Sequence, residues 1–214
     1  MKETAAISGY HFASGAHSPS HTYLLPCVRG ELTPLAKVLH PAARRLFDLG
    51  CGNGSTAAAL IGDGWTVQGI DPSETGIAQA RANHLRIDLQ TGSAYEDLAA
   101  RFGVFPALVS LEVVEHLYDP RSFARCMAKL LEPGGTALIS TPYHGYLKNL
   151  AIAVSGRTDA HFNPLWEHGH IKFWSVPTLT QLLKGAGLEV LRVHRVGRVP
   201  ALAKSMVAVA RKPT

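Results

Sequence analysis

The sequence lacks the features that mark disulfide-rich, secreted or membrane-spanning proteins. Only 3 of its 214 residues are cysteines, and neither their number nor their spacing suits a disulfide framework or a metal cluster. No apolar run approaches the roughly 20 residues that span a bilayer. The first residues, Met1 to Thr4, carry no apolar signal core. We therefore expect a cytoplasmic protein with at most peripheral contact to a membrane.

Charged residues are also scarce, at 17%, whereas hydrophobic residues reach 46%. This balance excludes a disordered chain and a coiled coil, and the length fits one domain with a sizeable core. The formal net charge is +5, and many basic residues lie late in the chain: Arg192, Arg195, Arg198, Lys204, Arg211 and Lys212. This excess would suit binding to an anionic substrate, a membrane surface or RNA. The alternative is that these residues are simply hydrated on the surface of the protein.

Apolar runs alternate with helical segments along most of the chain. We expect strands at 45–49, 65–70, 85–89, 107–114 and 136–141, and helices at 21–40, 55–61, 73–83 and 122–131. After a helix at 177–184, two more strands are expected at 188–196 and 205–210. The link between these two is too short for a crossover helix, so they should pair antiparallel.

This order of elements predicts an α/β fold. We expect a Rossmann-like sheet of seven strands, mostly parallel with an antiparallel last strand, and helices on both faces. One domain is expected to cover residues 1–214. Within it, residues 1–20 form an N-terminal arm or lid and residues 143–174 form an insertion that covers the substrate.

A glycine-rich turn joins the first predicted strand to its helix: Asp48-Leu49-Gly50-Cys51-Gly52-Asn53-Gly54. Glycine lets the backbone turn tightly and approach a nucleotide-like ligand without a side-chain clash. Asp71 ends the next strand, 21 positions after Gly50 (71 − 50). An acidic side chain at about this separation accepts hydrogen bonds from ribose hydroxyls. Ser73 is the better cap for the following helix, which leaves Asp71 for a ligand.

The glycine spacing distinguishes two classes of nucleotide ligand. Dinucleotide sites use Gly-x-Gly-x-x-Gly, whereas here the glycines stand at 50, 52 and 54. A carboxylate at Asp48 would repel a pyrophosphate but suits the ammonium group of a methionine moiety. The turn therefore favours S-adenosylmethionine over NAD. His21 and Tyr23 are expected to fold over this cofactor from the N-terminal side.

With these motifs, the chain resembles the class I S-adenosylmethionine-dependent methyltransferases from about residue 44 to residue 212. Asp48 to Gly54 is similar to the first motif of that family and Asp71 to the second. Gly92-Ser93-Ala94 lies where the family contacts adenine, and Pro133-Gly134-Gly135 is similar to the turn before its fifth strand. The resemblance implies these cofactor-binding residues: Asp48, Gly50, Cys51, Gly52, Gly54, Asp71, Pro72, Ser93, Ala94 and Leu111.

The fourth strand runs into a second motif, Leu111-Glu112-Val113-Val114-Glu115-His116. Ligands of open parallel sheets lie at the carboxyl ends of the strands, which places this motif close to the methyl donor. Two carboxylates beside an imidazole are costly to hold together unless a cation or a proton lies between them. A divalent metal would remove that cost. The alternative is a hydrogen-bonded helix start with Glu112 pointing away.

This motif, with His170 and the following Lys-Phe, resembles the ubiquinone-biosynthesis O-methyltransferase group. A similar Glu-x-x-Glu-His arrangement, completed by a later histidine, binds metal in small-RNA 2′-O-methyltransferases. The resemblance implies Glu112, Glu115, His116 and His170 as metal ligands, and these ligand types fit Mg²⁺, Mn²⁺, Fe²⁺ or Zn²⁺. We expect His116, His170 and Glu115 to be catalytic, through a metal that lowers the pKa of an acceptor hydroxyl or through an imidazole acting as general base.

The expected acceptor is an oxygen of a small molecule, such as a catechol or a quinone precursor, with a carbon or nitrogen acceptor as the alternative. Aromatic residues between 143 and 174 would stack on such a ligand or pack against one another.

An RNA 2′-O-methyltransferase is the nearest alternative; because the chain has no added RNA-binding module, we expect no nucleic-acid partner. A non-catalytic S-adenosylmethionine-binding protein would not need the carboxylate–histidine motif. The glycine spacing disfavours an NAD(P)-linked oxidoreductase. The sequence carries no signal for an oligomeric state.

Overall fold

The computed structural model describes residues 19–84, 87–166 and 168–214. Its strands are β1 Arg45–Leu49, β2 Thr66–Asp71, β3 Asp88–Thr91, β4 Phe105–Leu111, β5 Leu131–Pro142, β6 Glu189–Val196 and β7 Ser205–Arg211. Its α-helices are α1 His21–Val38, α2 Ser55–Gly62, α3 Glu74–Asn83, α4 Leu98–Phe102, α5 Pro120–Leu130, α6 Tyr146–Val154, α7 Thr158–His161 and α8 Val176–Gly185. Short 3₁₀ helices occupy Pro41–Ala43, Val114–His116 and Pro200–Leu202.

The strands form one sheet in the order β3-β2-β1-β4-β5-β7-β6. Strands β1 to β5 pair in parallel, whereas β7 runs antiparallel to both β5 and β6. This arrangement confirms the predicted Rossmann-like sheet with its antiparallel last strand. The strand order reverses between β1 and β4, and such a reversal opens a crevice for ligands at the carboxyl ends of the strands.

Helices bury both faces of the central strands of the sheet. Successive side chains of a strand point to opposite faces. Phe47 and Leu108 therefore join the apolar layer that contains residues of α5 and α8. Their neighbours Leu46 and Ala107 join the opposite layer, with residues of α1, α2 and α3. Burial on both faces explains the nearly continuous apolar sequence of β4.

Several predicted boundaries differ from the observed ones. The prediction extended β4 to Val114, but β4 ends at Leu111 because Glu112 has a φ of 57°, in the left-handed region where a strand cannot continue. Strand β3 begins at Asp88, where its pairing with β2 begins, and the predicted residues 85 and 86 lie outside the described ranges. Strand β5 begins at Leu131 rather than at residue 136, because Leu131 pairs with Phe105 before a bulge.

Helices α4 and α7 were not among the predicted elements, since helices of 5 and 4 residues are too short to show an apolar period. Residues 1–18 of the predicted arm lie outside the described ranges. Among the helices that the structure describes, none has the length and apolar character needed to cross a bilayer.

An ion-pair group ties α1 to the edge strand β6. The carboxylate of Glu31, 13% exposed, accepts a hydrogen bond from Nε of Arg192 at 2.9 Å and lies 2.7 Å from Nε2 of His194. The hydrogen bonds, that of Arg192 above all, hold the pKa of Glu31 below its ordinary value although burial opposes this. These ion pairs therefore stabilise the contact between α1 and the edge strand β6.

Replacing Glu31 by glutamine is expected to lower the free energy of unfolding by about 1 kcal/mol at pH 7, as measured by urea denaturation. Because the folded-state pKa of Glu31 is depressed, its contribution is present above the ordinary glutamate pKa of about 4.3 and is lost as the pH falls through the folded-state value. The exposed Glu189→Gln on the same strand serves as the control. An equal difference between the parent and Glu31→Gln at pH 7 and at pH 3 would contradict the ion-pair account.

Candidate functional site

The glycine-rich turn after β1 requires glycine for its shape. Gly50, Gly52 and Gly54 have positive φ values of 89°, 53° and 77°. The backbone N–H of Gly50 donates to the carbonyl of Ile70 at 2.9 Å, which anchors the turn to the end of β2. A Cβ added at Gly54 would lie 2.8 Å from Cβ of Ala80, closer than carbon atoms approach. Glycine at position 54 therefore lets the start of α2 pack closely against α3.

Asp71 lies at the end of β2, directly against this turn. Its carboxylate accepts hydrogen bonds from the backbone N–H of Gly52 at 2.9 Å and of Ser73 at 2.8 Å. Burial raises the pKa of Asp71, and these two hydrogen bonds oppose the rise. Each oxygen has two lone pairs and uses one, so both can still accept from a ligand hydroxyl. Ser73 caps α3 through its hydroxyl, which accepts from Gly76 N–H, as predicted.

Asp48 is buried at the end of β1 beside Asp71. Its Oδ2 has no hydrogen-bond partner among the residues that the structure describes. Burial first, and then the charge of Asp71, raise the pKa of the Asp48 carboxyl to about 8. A buried polar atom left unpaired costs roughly 1–3 kcal/mol. A ligand with an ammonium group would remove this cost, so the residues present fit the methionine end of S-adenosylmethionine.

The other predicted cofactor residues lie at the same edge of the sheet. Cys51 is buried within the turn and Pro72 directly follows β2. Gly92, which precedes the predicted Ser93 and Ala94, donates its N–H to the carbonyl of Asp71 at 3.2 Å. Leu111 ends β4. The structure thus brings the predicted set together around the ends of β1, β2, β3 and β4.

The start of α1 closes one side of the turn. Nε2 of His21 lies 2.9 Å from Oγ1 of Thr56 and 3.4 Å from Oγ of Ser55, both in the first turn of α2. The hydroxyl of Tyr23 lies 3.4 Å from Oγ of Ser205 at the start of β7. Both residues therefore lie over the carboxyl ends of the strands, where the sequence predicted that they would cover the cofactor.

Glu115 is a strongly desolvated acid of the site. It lies fully buried in the 3₁₀ helix after β4, and neither carboxylate oxygen has a hydrogen-bond partner among the described residues. Burial, and then the charge of Glu112, raise its pKa well above the ordinary value. Its backbone carbonyl accepts from the N–H groups of Ile171 and Lys172, each at 2.9 Å. These bonds bring the His170 segment against the carboxylate.

Two imidazoles complete this group. The possible ligand atoms of Glu115, His116 and His170 all lie within 4.8 Å of one another. Nδ1 of His116 lies 3.1 Å from the His168 carbonyl and donates there, which leaves Nε2 facing Glu115 at 4.0 Å. Because carboxylate and neutral imidazole are both metal ligands, the three residues could hold a divalent cation.

The histidines stay uncharged in this environment. Burial lowers the pKa of His116, although hydrogen bonds to the carbonyls of His168 and Gly169 oppose the change. Burial, and then the charges of His116 and His144, lower the pKa of His170 to about 4. A neutral imidazole can bind a metal or accept a proton from a substrate hydroxyl.

Glu112, the fourth predicted ligand, points away from this group. Its carboxylate accepts from the hydroxyls of Ser140 at 2.7 Å and Ser205 at 3.3 Å. Burial raises its pKa, and these hydrogen bonds and the charge of Lys148 oppose the rise. The structure therefore joins three of the four predicted ligands and places Glu112 beside Lys148. Sequence reasoning missed the two serines, since neither belongs to a motif.

The predicted insertion over residues 143–174 contains a small aromatic cluster of its own. The rings of His144, Phe162 and Phe173 lie 5.0–5.6 Å apart. Trp166 is different, because its ring lies 5.0 Å from that of His170. The first three rings thus pack on one another, whereas Trp166 lines the histidine group. A role of this segment over the substrate stays a prediction.

Comparisons with known proteins agree on one family. A family model described as a methyltransferase domain matches residues 25–193. A ubiquinone biosynthesis O-methyltransferase of Xanthomonas axonopodis pv. citri is 31% identical over 193 residues, which cover 88% of this chain and 79% of that protein. One of Thiobacillus denitrificans is 34% identical over 153 residues, covering 69% of this chain. The chain spans 66% of the length of the latter and 60% of that of a Caulobacter relative.

Solved structures show the same fold at lower identity. Magnesium protoporphyrin IX methyltransferase from Synechocystis PCC 6803, solved with bound SAH, superposes with a TM-score of 0.64 at 17% identity, covering 88% of this chain and 81% of that one. The CurJ carbon methyltransferase superposes with a TM-score of 0.63 at 16% identity, covering 88% and 54%. At this identity the likeness extends to the fold alone.

Proposed function

The chain belongs to the methyltransferase domain family, and we propose that it transfers the methyl group of S-adenosylmethionine to a hydroxyl oxygen of a small, catechol-like acceptor with the help of a divalent cation. The observation that carries this proposal is the buried, unpartnered carboxylate of Glu115 beside the neutral imidazoles of His116 and His170. This group lies at the end of β4, at the edge of the sheet where Asp48 and Asp71 lie. A cytoplasmic location stays a prediction.

The cofactor would be held by the turn after β1 and by two carboxylates. Asp71 would accept hydrogen bonds from the ribose hydroxyls, and the unpaired oxygen of Asp48 would face the ammonium group. The glycines of the turn carry no side chains, so the nucleoside could approach the backbone there. The bound cofactor supplies a methyl group already activated on a sulfonium, and the protein aligns the acceptor and excludes water.

The group formed by Glu115, His116 and His170 would help to remove the proton of the acceptor hydroxyl. Glu115, His116 and His170 would hold a divalent cation, which lowers the pKa of a bound hydroxyl. In the alternative route without a cation, Nε2 of His116, which is free of the bond that holds Nδ1, would itself accept the hydroxyl proton. Two neighbouring oxygens suit such a site better than one, because both can face the same cation. Curated relatives named O-methyltransferases support an oxygen acceptor.

Methyl transfer from labelled S-adenosylmethionine to catechol, phenol and 2-methoxyphenol tests this proposal. We expect catechol to be methylated, with kcat/KM at least about 10-fold above that of phenol, whose single hydroxyl loses one contact. A chelator should reduce the catechol rate, and added Mg²⁺, Mn²⁺ or Zn²⁺ should restore it. A rate that ignores the chelator would contradict the cation, and the absence of turnover with all three compounds would contradict O-methylation.

A further inference from the structure

A groove lies between α5 and α8, two helices that pack on the same face of the sheet. Its volume is about 470 Å³, and pockets for small molecules measure roughly 300–1,000 Å³. The residues that line it include Arg121 and Arg125 of α5, Leu182 and Gly185 of α8, and Trp174 just before α8. We call it the α5–α8 groove. The described residues assigned to the methyl donor and to the divalent cation are not part of its lining.

The walls of the groove are fixed by the opposite sides of both helices. Phe123 and Met127 of α5 and Leu183 of α8 are fully buried in one apolar layer. The start of α8 is capped as well, because the hydroxyl of Ser175 accepts from the N–H of Thr178 at 3.4 Å. The groove is therefore preformed, and a ligand can enter it without separating the helices.

Small residues at the end of α8 leave the groove open. Gly185 is the last residue of α8, and a Cβ added there would meet no other atom within 4 Å. Ala186, the next residue of the lining, adds only a methyl group. Leu182 and the largely buried Trp174 supply the larger apolar surfaces. A ligand would thus contact a lining that is partly aliphatic and partly aromatic.

Two arginines give the groove a positive charge. Within residues 19–84, 87–166 and 168–214, no carboxylate oxygen lies within 4.0 Å of a charged nitrogen of Arg121 or Arg125. Asp119 serves as the cap of α5, and hydrogen bonds from Ser122, more than the charge of Arg125, lower its pKa. Nη2 of Arg125 donates to the hydroxyl of Ser122 at 2.8 Å, which leaves its other donors for an anion.

Hydration alone would suit two exposed arginines, but it accounts poorly for the apolar lining beside them. Apolar surface gains free energy when a ligand removes it from water. A guanidinium is only weakly hydrated and binds a carboxylate, sulfonate or phosphate group through two parallel N–H donors. The two properties together select a molecule that has an apolar body and an anionic end.

We propose that the α5–α8 groove is a binding site for a small amphipathic anion, in which a flat apolar ring system lies between the helices and a carboxylate, sulfonate or phosphate group contacts Arg121 and Arg125. The rings would pack against Leu182 and Trp174, in the space that Gly185 leaves open. This site is separate from the residues proposed for methyl transfer, so it does not depend on the identity of the methyl acceptor.

The anionic dye 8-anilinonaphthalene-1-sulfonate and neutral N-phenyl-1-naphthylamine test the charge requirement, because they share the same rings and differ in the sulfonate. We expect dye fluorescence to report one sulfonate per chain, bound roughly 10-fold more tightly than the amine. The double variant Arg121→Met, Arg125→Met should lose this difference. Lys129→Met, at an exposed position of α5 outside the groove, should keep it. Equal affinity of the parent for both dyes would overturn the inference.

Filling the groove tests its location. Gly185→Leu should weaken binding of the sulfonate by about 10-fold or more, since the new side chain takes the space of the rings. Gly62→Leu is the matched control, because Gly62 ends α2, lies outside the groove and also has no atom within 4 Å of an added Cβ. Circular dichroism verifies that both variants fold. Unchanged affinity in Gly185→Leu would overturn the inference, and so would displacement of the sulfonate by S-adenosylhomocysteine, which would place the dye in the cofactor pocket.

Discussion

Replacing Glu115 by glutamine is expected to abolish the proposed binding of a divalent cation and to lower kcat by about 10²-fold or more. Glutamine keeps the size of the side chain but offers no negative charge to a cation beside His116 and His170. Metal analysis of the purified protein and the rate of catechol methylation measure the two effects. Unchanged metal content in Glu115→Gln would refute the ligand assignment.

Two controls sharpen this test. Glu112→Gln should retain the cation, because the Glu112 carboxylate accepts hydrogen bonds from Ser140 and Ser205 outside the ligand group. Loss of metal in that variant would instead support the four-ligand set that the sequence resemblance implied. Glu115→Gln should also fold. Burial raises the pKa of Glu115, so this acid destabilises the folded, metal-free parent at neutral pH, and the neutral glutamine does not. Thermal unfolding in chelator should therefore occur at no lower temperature in the variant than in the parent.

Replacing Asp71 by alanine is expected to weaken the binding of S-adenosylhomocysteine by about 10²-fold, since two hydrogen bonds from ribose hydroxyls to a charged group are lost. The same change removes the acceptor for the N–H of Gly52, so the turn itself loses support. Calorimetric titration measures the affinity. Asp71→Asn keeps one side-chain oxygen, so its affinity for S-adenosylhomocysteine should fall less than that of Asp71→Ala.

The matched control for Asp71 is Asp88→Asn. Asp88 begins β3 and is exposed, and its carboxylate accepts from the side-chain amides of Gln68 and Gln90 rather than from the turn. This variant should bind S-adenosylhomocysteine as the parent does. Equal affinity in the parent and in Asp71→Ala would refute the role of Asp71 in holding the ribose.

The parts of the site that the sequence predicted depend on local chemistry. Asp48, the glycine turn and Asp71 stand on two adjacent strands and the loop after the first, so their spacing alone places them at one edge of a parallel sheet. Ser73 was predictable as a helix cap for the same reason, because its hydroxyl accepts a hydrogen bond from Gly76, only three residues further along the chain. The order of strands and helices likewise sufficed for the α/β fold.

The parts that the sequence did not predict depend on contacts between distant segments. Glu112 turns away from Glu115 because its positive φ redirects the chain, and because the hydroxyls that donate to it, those of Ser140 and Ser205, come from β5 and β7. Only the assembled sheet brings those serines beside β4. The nearness of Lys148 to Glu112 has the same origin, since Lys148 of α6 donates to the carbonyl of Lys204 in the link before β7. No local pattern contains these distances.

The central claim is that the bare turn at residues 50–54 and the carboxylate of Asp71 form a pocket for the nucleoside of the methyl donor. Calorimetric titration of the parent protein with S-adenosylhomocysteine, and separately with NADH, tests it most directly. The account predicts saturable binding of one S-adenosylhomocysteine per chain and no binding of NADH. Binding of NADH without binding of S-adenosylhomocysteine, or the absence of both, would contradict it.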